Sequence, residues 1–598
     1  MMAEHAPASE DHHAAPGVRA RTLCEAFQRS AATAADRTAI RTPDGTVTIS
    51  WAEYESRVAR IAAALAELGV RRGATVGIML RNMPEFHLID AAALHLGAIP
   101  FSLYVTSAPE QLAHVLRNSE CRIVFVESQF LARIHAASTP NIEHIIVVDG
   151  DEGLTLDRLE ARADPGFDLA SAARAVHSED VATLIYTSGT TGPPKGVELT
   201  HANLMFAIGG CDRLAPLRTG GSLVSYLPHA HLADRLVAHY VHMATASVVT
   251  TVADPTQVIG ALPSCRPSMF MAVPRVWEKL RTALLAQLRD HQSEQAIHIG
   301  LHKVRAEQNG EPVSAELMHE WKQADETVFR GIREQIGLDQ TDWVISGAAP
   351  IPPTVLEFFS AIGIPICEGW GLSETTALGA INHRDAIRIG TVGRPMPNTE
   401  LRLDDDGEVL VRGQHVMRGY RQDTERTAEV LDPDGWFRTG DIGKLDEHGY
   451  LVIVDRKKDI IINSAGKNMS PANIEATLLS SSELLSQACC IGDGRPFNVA
   501  LLVPSPEGVA AYARTHGLLE APFAELVAGG HLDQEISAAV ARANSKLSRV
   551  EQIKGYRLLA TEWLPDGDEL TPTSKLKRAV IASKYADTIA DLYAAGKS

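Results

Sequence analysis

The stretch from Val181 to Gly196 constrains this chain more than any other. The apolar run Val181–Ile185 reads as a buried strand. It leads straight into Tyr186-Thr-Ser-Gly-Thr-Thr-Gly-Pro-Pro-Lys-Gly196, a loop of glycines and small hydroxyl residues. Thr187, Ser188, Gly189, Thr190, Thr191 and Gly192 let backbone N–H groups and hydroxyls approach an anion closely, and Lys195 adds a positive charge. Gly189 and Lys195 keep the spacing of a GxxxxGK[ST] nucleotide loop. However, Pro194 stands at its second glycine and Gly196 at its metal-binding hydroxyl. Pro193-Pro194 also disfavours a helix that starts at the lysine. The segment therefore predicts a strand followed by a phosphate-covering loop, not a strand–loop–helix NTPase site.

The flanking chain says what such a strand sits in. Trp51 to Leu68 repeats apolar residues at helical spacing, and Gly69 follows as a natural stop. Thr75–Leu80 and Arg122–Val126 read as short buried strands, and Leu88 to Val105 as a buried helix followed by a strand. Alternation of this kind predicts a layered α/β domain with a mostly parallel sheet. Residues 276 to 335 are helical and charged, with a break at Asn309-Gly310. After about residue 385 the texture alternates in the strand manner, with turns at Asp406-Gly407, Asp434-Gly435 and His448-Gly449. The charge-dense Asp455-Arg-Lys-Lys-Asp459 predicts a solvated junction between two bodies, and a small α/β region follows it.

At 598 residues a sizeable core is assured. The 56 basic against 74 acidic residues give a net charge of −18, which repels nucleic-acid backbones and anionic lipid surfaces at long range. A nucleic-acid partner is therefore not expected, although an apolar patch could still make transient peripheral contact with a membrane. The seven cysteines (24, 121, 211, 265, 367, 489 and 490) form no CxxC pair, so no zinc ribbon or redox motif is expected, and a reducing cytoplasm suits them. Residues 1–17 have neither the basic start nor the apolar core of a signal peptide and read as a disordered tail.

Further motifs follow in order. They are Ser346-Gly-Ala-Ala-Pro350, Glu368-Gly-Trp-Gly-Leu-Ser-Glu-Thr-Thr376, Thr439-Gly-Asp441, Asp455-Arg-Lys-Lys458 and Thr571-Pro-Thr-Ser-Lys-Leu-Lys-Arg578. Together with the hydroxyl loop, this series resembles the adenylate-forming superfamily of acyl-CoA synthetases, luciferases and peptide-synthetase adenylation domains. The resemblance spans roughly residues 20 to 585. It implies a large layered α/β N-terminal domain over 18–455 with a β-barrel-like subdomain, and a small mobile α+β domain over 456–598.

The resemblance assigns Gly347, Ala348, Ala349, Glu368, Gly369, Trp370, Gly371 and Ser373 to ATP and AMP binding. On the residues alone, Trp370 suits a place beside a planar base. Glu374 suits a Mg²⁺ ion held between its carboxylate and the phosphates. Asp441 between two glycines can accept hydrogen bonds from ribose hydroxyls, although many turn aspartates only cap their own backbone. The resemblance gives it the ribose, shared with Arg456, and makes Lys458 the hinge. Attack of a carboxylate on an α-phosphate brings two anions together, a repulsion on the order of several kcal/mol in a partly dry site. A lysine bridging them offsets this as charge develops. Lys575 takes that place in the resemblance, with Lys577 the rival and Ser574 standing where a glycine is usual.

His231, in Ser225-Tyr-Leu-Pro-His-Ala-His231, matches the family's acyl-pocket position. Gly466 and Lys467 lie in the loop that would shape a CoA tunnel, where Ala465 replaces a common glycine. Ala272-Val-Pro-Arg-Val-Trp-Glu-Lys279 resembles long-chain acyl-CoA synthetases. Asp234 could pair a substrate ammonium, but beside Arg235 a local ion pair or a solvated turn is the reading adopted. The expected activity is ATP-dependent ligation of a long-chain fatty acid to CoA through an acyl-adenylate. A fatty acyl-AMP ligase that loads a carrier protein, or a synthetase for another hydrophobic carboxylate, remains the alternative. A non-catalytic acyl-nucleotide binder would be expected to lack Lys575 or Glu374, and a phosphate-releasing NTPase would need no carboxylate substrate.

Overall fold

A computed structural model describes residues 15–595 apart from 138, 152, 188–192, 465, 519–521, 565–566 and 572–574. The central element is an eight-stranded sheet. The strands Val181–Thr187, Ile99–Ser102, Thr75–Met79, Ile123–Val126, His144–Val147 and Leu154–Thr155 run parallel across it. Lys195–Thr200 and Gly419–Tyr420 close one edge in antiparallel fashion. Thr75–Met79 is buried at every position, as a strand covered on both faces must be. The helix Pro84–His95 is buried at every position but Glu85, and no described helix is long and apolar enough to cross a membrane. Trp51–Glu67 is a helix capped by the Ser50 hydroxyl, which accepts the Glu53 N–H at 3.1 Å.

A five-stranded sheet runs Met269–Ala272, Trp343–Ser346, Ile366–Trp370, Ala380–Ile381 and Arg394–Pro395, its first three strands parallel. The helices Pro274–Gln287, His291–Gln308 and Ala315–Ala324 account for the charged stretch, with the break at Asn309-Gly310. Where a barrel-like subdomain is expected stand four antiparallel strands: Glu400–Leu403, Glu408–Arg412, Phe437–Leu445 and Leu451–Arg456. Gly407 and Gly449 take left-handed φ values of 85° and 77° in their turns, a conformation that favours glycine. Beyond residue 460 the strands Leu485–Ile491, Asn498–Pro504 and Ile553–Leu558 form a three-stranded sheet packed with helices. The buried apolar clusters draw either on residues up to 453 or on residues from 461 onward.

Three expectations need correction. Ala15 and Gly17 are not part of a solvated tail. Ala15 is buried, the Gly17 N–H donates to the Ala244 carbonyl at 2.8 Å, and a Cβ on Gly17 would lie 2.9 Å from Ala26. Their smallness, which reads as tail composition, is what lets the chain enter the core. Residues 1–14 lie outside the described residues.

The second correction concerns Arg235, which pairs with the buried Asp90 and not with Asp234. Asp234 is itself buried and accepts from the Ser225 hydroxyl at 2.7 Å and from the Tyr226 and Leu227 N–H groups at 3.0 Å. Adjacent residues on a helical turn do not face one another, so sequence adjacency misleads here. The third is the junction. Asp455 is buried rather than solvated, and it accepts from the Ser470 hydroxyl at 2.6 Å and the Ala472 N–H at 3.0 Å. It thereby helps to cap the helix Pro471–Leu479.

Candidate active site

Three of the motif loops leave the carboxyl ends of parallel strands, the place where open α/β sheets collect ligands. Val181–Thr187 ends in the hydroxyl loop, Trp343–Ser346 in the 347–349 loop, and Ile366–Trp370 in the 371–376 turn. Thr187 faces Lys195 across the first hairpin, so the strand pair sets the width of the loop's base. Ser188, Gly189, Thr190, Thr191 and Gly192 lie outside the described residues.

The second and third loops crowd together. A Cβ on Gly347 would lie 3.3 Å from the Gly369 carbonyl, and one on Gly379 would lie 2.5 Å from the Trp370 ring. The absence of a side chain at Gly379 is thus what seats the indole. Ala348, Thr376 and Ala377 all hold left-handed φ values, of 69°, 51° and 66°. Such backbone costs of order 1–3 kcal/mol per residue and persists only where the surroundings enforce it. At Thr376 the hydroxyl donates to the His415 carbonyl at 2.6 Å. Burial raises the Glu368 carboxyl to about 8, so it is largely protonated at neutral pH and able to donate. The Ser346 hydroxyl is buried with no partner among the described residues.

Asp441 joins these loops to the antiparallel sheet. The Trp370 indole N–H donates to its Oδ2 at 2.8 Å, and Arg456 Nε lies 2.6 Å from its Oδ1. Arg456 is also its cross-strand neighbour. Each carboxylate oxygen keeps accepting capacity for a ribose hydroxyl. Trp370 is therefore tied to Asp441, the residue expected to take the ribose.

Lys575 comes from the far end of the chain and reaches this cluster. The Thr571 N–H donates to the Lys575 carbonyl at 2.8 Å, and the Lys575 N–H donates to the Thr571 hydroxyl at 3.0 Å. Lys575 is exposed to solvent, and the surrounding protein removes part of the hydration of its ammonium. That desolvation, reinforced by the Arg456 charge, lowers its pKa, while Asp441 and Glu374 oppose the shift. The rival Lys577 turns away, its ammonium 3.5 Å from the Gly567 carbonyl. Arg578 anchors the segment through two 2.7 Å bonds to the buried Glu475. Ser574 lies outside the described residues.

Glu374 sits beside the same cleft, and sequence reasoning passes over its partner. The Tyr420 hydroxyl donates to Glu374 Oε1 at 2.9 Å, and the Lys195 ammonium lies 4.8 Å from the Tyr420 ring centre. One buried aromatic thus joins the hydroxyl-loop lysine to the motif carboxylate. Nothing in Arg418-Gly419-Tyr420 distinguishes it from an ordinary strand aromatic, because the link is purely spatial. The other oxygen of Glu374 accepts no hydrogen bond from the described residues. One free carboxylate oxygen next to a polyphosphate suits Mg²⁺, which binds through one or two carboxylates and substrate phosphates.

Tyr420→Phe keeps the ring under Lys195 and deletes only the donor. It is expected to raise the Mg²⁺ concentration needed for half-maximal ATP binding by roughly three- to tenfold, read by calorimetry. An unchanged midpoint would show that Glu374 needs no such support.

The remaining predicted residues are placed less closely. His231 accepts the Ala233 N–H through Nδ1 at 3.2 Å, and burial together with the nearby Lys575 charge lowers it to about 4, so the ring is neutral. Lys458 follows Arg456 and Lys457. Desolvation and the Arg456 charge lower its ammonium pKa. Gly466 and Lys467 are exposed on the hairpin between Ile461–Ile462 and Asn468–Met469. No described contact brings them to Lys575, and Ala465 lies outside the described residues.

Comparison with known proteins adds to this geometry. The profile of the AMP-binding enzyme family matches residues 27–421, and that of the AMP-binding enzyme C-terminal domain matches 458–597. The chain is 47% identical to a putative fatty-acid–CoA ligase, fadD11, of Mycobacterium tuberculosis, over 73% of this chain and 78% of that one. It is 35% identical to the long-chain-fatty-acid–CoA ligase FadD15 of the same organism, over 91% and 92%. Among solved structures, the anthranilate CoA ligase AuaEII with anthranoyl-AMP superposes with a TM-score of 0.72 at 20% identity, covering 95% of this chain and 98% of that one. The adenylation domain of a carboxylic acid reductase from Segniliparus rugosus also gives 0.72, at 19% identity over 96% and 94%. At that identity the structures speak for the fold.

Proposed function

The chain belongs to the AMP-binding enzyme family, and from that membership we propose that it ligates a long-chain fatty acid to coenzyme A through an acyl-adenylate, releasing pyrophosphate and AMP. The observation that carries this reading is the convergence of Lys575, from the far end of the chain, on Asp441, Glu374 and Arg456. A cation delivered by a separate segment to a carboxylate-lined cleft suits a reaction whose first step joins two anions and whose second needs the space vacated. The named relatives, fatty-acid–CoA ligases, supply the acyl class.

In the first half-reaction a carboxylate oxygen of the acid attacks the α-phosphorus of ATP, and the bond to the β-phosphate oxygen breaks. Lys575 spans the carboxylate and the α-phosphate, Lys195 and the hydroxyl loop hold the leaving pyrophosphate, and Asp441 with Arg456 fixes the ribose. Mg²⁺, held by Glu374, would neutralise phosphate charge. Neutral His231 lines the acyl side without adding a further cation beside Lys575. The small domain then turns at Lys458, withdrawing Lys575 and bringing Gly466 and Lys467 to the thiol path, a gating motion of a common kind. The CoA sulfur attacks the acyl carbon, the thiol proton is lost, and AMP leaves with the carboxylate oxygen it acquired.

The test is release of pyrophosphate and AMP with fatty acids from medium to very long chain, with and without CoA. Acid-dependent pyrophosphate, with AMP turnover only when CoA is present, is the expected pattern. Pyrophosphate without CoA-driven turnover would point to a carrier-protein acceptor, and no acid-dependent release would remove the fatty-acid assignment.

A further inference from the structure

The four-stranded sheet holds a buried carboxylate that neither half-reaction uses. Glu408 is 4% exposed. Its Oε1 accepts the Gly440 N–H at 3.0 Å, and its Oε2 accepts from the Lys457 ammonium at 2.9 Å. Gly440 immediately precedes Asp441, and Lys457 immediately precedes Lys458. The Lys457 N–H also donates to the Gly440 carbonyl at 2.8 Å, and its ammonium lies 2.5 Å from Asp406. Register shifts next to Glu408 and at Ile442/Gly443 re-aim the strands here, as bulges do. The neighbouring carboxylates of Asp404, Asp406 and Glu408 are paired with Arg438 and Lys457.

We infer that Glu408 is a positioning residue that clamps the turn carrying Asp441 and the residue beside the pivot into one rigid unit, with Lys457 as the fulcrum of the small domain's rotation. This rests on the ligase reading and on Lys458 as its hinge. A rotation through one residue reaches a defined end point only if the chain on one side of that residue is fixed. Lys457 is fixed at both its backbone and its side chain. The orientation that places Lys575 in the cleft has independent ties: Lys279 lies 3.1 Å from Glu507, and Arg275 lies 4.0 Å from Glu562. Loss of the fulcrum is therefore tolerated while adenylate forms and is felt when the domain must reorient.

The experiment uses the full chain with Lys457→Met, Lys457→Arg and Glu408→Gln. It measures acid-dependent pyrophosphate exchange for the first step and CoA-dependent AMP turnover for the whole cycle. Lys457→Met is expected to leave the exchange rate and the KM for ATP within about twofold and to slow full turnover by roughly tenfold. Lys457→Arg keeps the charge and should restore turnover. Glu408→Gln, which touches both ends of the clamp, should slow turnover and raise the KM for ATP. Equal loss in exchange and turnover for Lys457→Met, or no loss in either, would overturn the inference. Absence of acid-dependent exchange in the unmodified protein would instead remove the ligase reading beneath it.

Discussion

Lys575→Ala is expected to slow adenylate formation by roughly three orders of magnitude while sparing the step that follows it. The ammonium comes from the far end of the chain to lie among Asp441, Glu374 and Arg456. Truncation leaves the attacking carboxylate and the α-phosphate without the charge that bridges them. The separate half-reaction, in which CoA consumes a supplied acyl-adenylate, requires the lysine to be withdrawn. It should therefore retain its rate within about threefold. Pyrophosphate exchange and single-turnover thioester formation separate the two.

The same residue fixes a pH dependence. Desolvation and Arg456 lower the pKa of Lys575 below the ordinary 10.5, so the cationic form needed for the reaction is lost as pH rises through that lowered value. The alkaline limb of kcat/KM for adenylation, which reports on the free enzyme, should thus begin earlier than an ordinary lysine would allow. Lys575→Ala should lack that limb. Equal damage to both half-reactions would mean that Lys575 supports the fold and not the first step.

Glu374→Gln is the second large effect. The amide oxygen can still accept from the Tyr420 hydroxyl, so local structure is preserved while the negative charge is removed. Adenylation is expected to fall by about two orders of magnitude, with a marked rise in the Mg²⁺ required for ATP binding. The metal dependence of binding, measured without turnover, distinguishes loss of a metal ligand from loss of packing. A variant with full activity and an unchanged Mg²⁺ midpoint would show that the carboxylate only braces Tyr420.

The layered sheet was legible because local and global signals agree there. Thr75–Met79, Ile123–Val126 and Val181–Thr187 are apolar runs buried on both faces, and each appears as a strand close to its predicted bounds. The site motifs were legible as strings because each loop carries its own chemistry. What stayed hidden depends on contact between distant segments. Tyr420 meets Glu374 across 46 residues and Lys457 meets Glu408 across 49, separations that no local pattern encodes. Asp234 and Arg235 fail for the opposite reason, since adjacency suggested a pair that helical geometry separates. Asp455 reads as solvated because its neighbours are charged, while tertiary packing places its carboxylate at the start of the next helix.

Attack of the acid's own oxygen on the α-phosphorus is tested by incubating the enzyme with a long-chain fatty acid carrying ¹⁸O in its carboxylate, together with ATP and CoA, and weighing the AMP by mass spectrometry. One ¹⁸O atom is expected in each AMP, because the thiol attacks the acyl carbon and leaves the bridging oxygen on phosphorus. AMP without label, or label appearing in phosphate beside ADP, would contradict it.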